Sequence, residues 1–92
     1  MDELRYWINY LNSQLKYIKN FNWHDCKDEL KIHLRIKESI VSHIINLKCP
    51  HLNNREYCHL FNFINSRDLI NNNIENLIDT YLNDDDDDDL NK

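Results

Sequence analysis

The chain has 92 residues, room for one small domain with a modest core. It contains no Gly, no Ala, one Pro and one Val, while Leu, Ile, Asn, Lys, Asp and Tyr dominate; this bias points to an A+T-rich gene and removes weight from the many Asn residues. The net charge of −5 comes entirely from the tail, because residues 1–83 carry ten acidic and ten basic side chains. A neutral body lacks the positive field that drives nonspecific nucleic-acid or membrane binding.

A chain without Gly is expected to close its helices with Asn in the left-handed C′ conformation. It also lacks the residue that tight hairpins favour, which points to helices rather than sheet.

The first helix is expected over about 2–20. Leu4, Trp7, Ile8, Leu11, Leu15 and Ile18 recur at helical spacing, with Tyr6, Tyr10 and Tyr17 beside them. Asp2 and Glu3 suit the positive end of its dipole, and Lys16 and Lys19 the negative end. Asn22 or Asp25 then offers a cap for a second helix reaching Lys48. Its apolar arc is wide: Leu30, Leu34, Ile40, Val41, Ile44, Ile45 and Leu47, with Ile36 broadening it further. That width is compatible with a homodimer. Pro50 stops this helix.

Asn53 followed by Glu56 reads as a capping box for a third helix, on which Tyr57, Leu60, Phe61 and Ile64 form one stripe. Ser66 offers a cap for a fourth helix from about Arg67 to Leu82, with Ile70, Ile74, Leu77, Ile78 and Tyr81 on its apolar side. The "NNN" at 71–73 should leave its first turns ragged. The run "DDDDDD" repels itself, so 84–92 is expected to be a disordered acidic tail. The expected fold is all-α, a small three- to four-helix bundle over 1–83. Its predicted core is Trp7, Leu11, Leu34, Val41, Ile44, Phe61, Ile74 and Leu77.

Three cysteines, an odd number, cannot close a disulfide framework, although Cys49 and Cys58 could bridge the Pro50 loop in an oxidising compartment. His24-Asp25-Cys26, Cys49-Pro50-His51 and Cys58-His59 suggest zinc, yet no C-x₂₋₄-C pair exists. Adjacent helical residues point about 100° apart, which leaves Cys58 packing beside the core and the histidines solvated. No spacing fixes a nucleophile beside a base, and phosphate loops need Gly. The reading is therefore non-enzymatic, with no cofactor and no bound metal.

Lys31, Arg35, Lys37 and Lys48 give the second helix a basic bias that Asp28, Glu29 and Glu38 offset. A nucleic-acid contact through these residues is the alternative function, and the neutral body argues against it. The leading expectation is a helical interaction domain with a protein partner, contacted through Tyr6 and Tyr10 and by Lys31 and Arg35. No run of about 20 apolar residues spans a membrane. The N-terminus lacks the basic start and apolar core of a signal peptide, which leads to the expectation of a cytoplasmic protein.

The stretch "LRYWINYLNSQL" resembles the start of the conserved region of the Plasmodium interspersed repeat variant antigens, with Tyr6-Trp7-Ile8 and Tyr10-Leu11 as its core. "LKCPHLNNREYCHLFNFI" is similar to the later family pattern, where spaced cysteines precede an aromatic helix. The family's Cys before "YW" is replaced by Leu4-Arg5, and an acidic tail stands where the family carries a membrane segment. The resemblance implies a truncated or divergent member, a non-enzymatic protein exported to the infected host cell. It supplies no catalytic residues.

Overall fold

The computed structural model describes the backbone of residues 2–90 and the side chains of residues 2–83. The fold is all-α: α1 (Glu3–Asn20), α2 (Lys27–Lys48), α3 (Asn54–Asn65) and α4 (Ile74–Leu90), with no strand among the described residues. The backbone of α4 continues to Leu90, past the end expected at about Leu82 and into the stretch expected to be a disordered tail; the side chains of 84–90, and Asn91 and Lys92 entirely, lie outside the described residues. The chain divides into two compact units, Met1–His51 and Leu52–Lys92.

In the first unit α1 and α2 form an antiparallel hairpin. Glu3 and Trp7, early on α1, meet His43 late on α2, while Gln14 and Tyr17 meet His33. Asp2 caps α1 by accepting a hydrogen bond from the Leu4 N–H at 3.1 Å. Ile8, Leu11 and Leu15 are buried on α1, and Ile40, Val41, Ile44 and Ile45 on α2.

The predicted core needs correcting in places. Leu11, Val41, Ile44 and Ile74 are buried, but Trp7, Phe61 and Leu77 are only half-buried, and Leu34 is 36% exposed. Leu34 shares a helix face with Val41, seven residues on, so its periodicity is right. Period reports the direction a side chain takes, not how far along the helix that side is covered.

Helix ends differ from expectation as well. No described residue has positive φ, so no Asn closes a helix in the left-handed region. The α1 end turns out through Phe21 in extended geometry, and the α2 end through Cys49, just before Pro50. Neither Asn22 nor Asp25 caps α2; Cys26 holds that position without a side-chain bond. Asn22 instead accepts from the His24 N–H at 3.1 Å, a local turn that takes up its oxygen.

In the second unit the capping box forms in full. Asn53 Oδ1 accepts from the Glu56 N–H at 2.8 Å, and Glu56 Oε1 accepts from the Asn53 N–H at 3.0 Å. Asn53→Ala should therefore cost about 1 kcal/mol, read from thermal melts by circular dichroism. An unchanged midpoint would show that the box adds nothing.

The fourth helix starts later than its apolar stripe suggests. Ser66 ends α3, its hydroxyl donating to the Phe63 carbonyl at 2.8 Å, rather than opening α4. Residues 67–73 form a turn organised by Asp68, which accepts from the Ile70 N–H at 3.0 Å and from Asn71 Nδ2 at 2.6 Å. Asn73 Oδ1 then accepts from the Glu75 N–H at 2.8 Å and caps α4. Short polar side chains compete with the helical backbone for its own donors, and here they win seven residues. Ile70 is exposed as a result, while its neighbour Leu69 is buried with Leu60, Ile64, Ile74 and Ile78.

Candidate functional site

Three apolar sectors run along α2. The middle sector, Ile40 and Ile44, is buried, and Val41 and Ile45 lie to one side of it. On the other side lie Ile32 and Ile36, one turn apart, and this flank meets Trp7 and Tyr10 of α1. The result is an open groove of ≈ 560 Å³, completed by Arg35, Ser39 and His43. Its walls are mainly apolar, and no Asp or Glu among the described residues lines it.

The groove is aromatic along its α1 edge. Trp7 lies 4.4 Å from the His43 ring, 5.7 Å from Tyr10 and 5.4 Å edge-on from Tyr6, centroid to centroid. These contacts hold the half-buried indole in place and leave Tyr6 51%, Tyr10 41% and Ile32 57% exposed. His43 Nε2 has no hydrogen-bond partner among the described residues and stands 3.8 Å from Glu3 Oε2.

Tyr10 and Arg35 thus come together in one groove, with Tyr6 edge-on to Trp7 at its rim. Lys31 is exposed, one turn before Arg35, and does not line the groove. Lys37 stands about 200° around the helix from Arg35, so the basic residues of α2 do not form one stripe.

The histidines were expected to be solvated, but two are partly covered. His33 and His43 are both half-buried where α2 meets α1. Gln14 Nε2 donates to His33 Nδ1 at 2.8 Å; the amide nitrogen only donates, so Nδ1 accepts. The His33 ring also meets Tyr17 at 4.8 Å and Trp23 at 5.5 Å. A signal existed in the sequence: His33, Ile36, Ile40 and His43 fall at i, i+3, i+7 and i+10.

Trp23 is a further residue that periodicity misses, because it sits in the loop between the helices. Its Nε1–H donates to the Ile18 carbonyl at 2.7 Å, satisfying one of the open carbonyls at the end of α1. Its ring lies 4.3 Å from Phe21 and 5.9 Å from Tyr17.

Other concavities offer less. One on the second unit, ≈ 370 Å³, is lined by Leu52, Arg55, Glu56, His59, Leu60, Tyr81 and Leu82, but its carboxylate is already taken by the capping box. The His24–Glu29 segment lines a shallow polar depression at the start of α2. Among the described residues no three His, Cys, Asp or Glu side chains are placed to hold one metal ion. Cys26 and Cys49 are half-buried, and Cys58 is exposed rather than packed beside the core. No disulfide joins Cys49 to Cys58 in this structure. No described helix is long and apolar enough to cross a membrane.

Comparison with known proteins adds no relative to this picture: no protein family, no curated protein and no solved structure matches the chain.

Proposed function

We propose that this chain is a non-enzymatic helical interaction domain that takes a protein partner on the α1–α2 groove. One observation carries the reading: Tyr10 and Ile32, both exposed, are continuous with half-buried Trp7 and Ile36 over a buried Ile40. Large apolar side chains gathered on one open face, rimmed by polar groups, are characteristic of contact surfaces. Aromatic residues and Arg are the side chains that most often dominate such contacts.

The nucleic-acid alternative needs Lys31, Arg35 and Lys37 to act together, and helical geometry separates Lys37 from the other two. The exported-antigen reading rests mainly on "LRYWINYLNSQL", with "LKCPHLNNREYCHLFNFI" beside it. Within the first stretch Ile8 and Leu11 are buried, so folding alone accounts for part of the likeness.

A photo-crosslinking residue placed at Tyr10, at Ile32 or at Asn12 tests the docking reading. Asn12 is exposed about 200° around α1 from Tyr10. Extracts of the source organism should give the same discrete adduct from positions 10 and 32 and none from position 12. Equal labelling from all three positions, or none from 10 and 32, would remove the groove as the contact surface.

A further inference from the structure

We infer that the occupant of the α1–α2 groove is an amphipathic helix of a partner protein with a carboxylate bordering its apolar stripe. This inference rests on the docking reading above and adds the chemistry of the partner.

The first argument is length. From Ile32 to His43 the groove follows α2 for about 16 Å, at about 1.5 Å per residue. That is three helical turns, long enough for an amphipathic helix to present anchors at i, i+4 and i+7. Two helices already form the walls, and a third laid between them completes a packing unit of ordinary kind.

The second argument is charge. Arg35 lines the groove and makes no ion pair among the described residues; Glu38, three residues on, does not pair with it. Among the described residues no acidic side chain lines the groove. The His43 end is different, because Glu3 Oε2 stands 3.8 Å from Nε2 there. The unmet demand for negative charge is therefore at the Arg35 end. It is local, since the body of the chain carries equal numbers of both signs.

The same facts disfavour a second copy of this chain. In a two-fold pair each groove faces an identical groove, so Arg35 is offered no groove-lining carboxylate. A separate helix with Glu or Asp at its border meets both demands at once: its apolar anchors cover Trp7, Ile32 and Ile36, and its carboxylate takes the guanidinium in a charge-assisted hydrogen bond.

Two synthetic helical peptides test this. Both carry Leu at i, i+4 and i+7; one has Glu along the border of the stripe and its twin has Lys at those positions. Calorimetric titration into the full chain at low salt should give at least about tenfold tighter binding of the Glu peptide. Arg35→Glu, which alters an exposed side chain, should keep the melting temperature and reverse the preference. Equal or tighter binding of the Lys peptide overturns the acidic partner while leaving the groove as a docking site. An unchanged preference in Arg35→Glu does the same. If neither peptide binds at millimolar concentration, the docking reading falls with it. Sedimentation that shows a dimer abolished by Ile32→Glu replaces the partner helix with a second copy and also overturns the proposal.

Discussion

Ile44→Ala is expected to lower stability by about 2–5 kcal/mol, the range for truncating a fully buried aliphatic side chain. Ile44 has no exposed surface, and the cavity left by its truncation cannot be filled by water without loss. For a chain of this size each kcal/mol moves the melting temperature by about 4–8 °C, so a fall of about 10 °C or more should be seen. Leu34→Ala supplies the control. Both residues belong to the apolar arc of α2, but Leu34 is exposed and its truncation should cost under about 1 kcal/mol. Urea denaturation of the two variants compares them directly. Equal losses would mean that Leu34 is covered in solution and that the burial pattern on α2 is wrong.

The second large effect is expected at Trp23, outside any helix. Trp23→Ala removes the bond to the Ile18 carbonyl and the ring packing against Phe21, Tyr17 and His33. A fully buried Trp costs about 3–5 kcal/mol to truncate; this one is half-buried, so about 2 kcal/mol is expected. Trp23→Phe keeps most of the ring and loses only the N–H donor, which should cost about 1 kcal/mol. The difference between the two variants separates packing from capping. If Trp23→Phe were neutral, the indole N–H would not be closing α1. Trp7→Ala belongs to the same scale, because Trp7 is half-buried rather than enclosed; its loss should also stay below the fully buried range.

These expectations show where sequence and structure part. Helix content was legible from the 3.6-residue stripes, and the Asn53–Glu56 box from its spacing, because both depend on residues a few positions apart. Pro50 marked the end of α2 for the same reason. The start of α4 was not legible: its stripe extends back to Ile70, but Asp68 and Asn73 draw the backbone into a turn and a later cap. Competition between a stripe and local hydrogen bonds is decided by a small free-energy difference, which the pattern of apolar residues does not contain.

The groove was half legible. Tyr10 and Arg35 were singled out for different reasons, one as the edge of an aromatic stripe and the other as part of a basic bias. Only the pairing of α1 with α2 places them on one surface with Trp7, Ile36 and His43. His33 and His43 looked like solvated residues because each was read alone; their shared face becomes meaningful once Gln14, Tyr17 and Trp7 are known to lie opposite.

By itself, then, the sequence determined an all-α fold of three to four helices, their apolar faces and a neutral body. Those follow from local periodicity, local capping and a count of charges. The tertiary structure decided which part of each face is covered: Ile44 enclosed, Leu34 open, and Ile32 with Tyr10 left at the rim of a groove. The physical reason is that burial belongs to pairs of elements. A helix carries the direction of its side chains in its own sequence, but the length and angle of its cover come from a neighbour far along the chain.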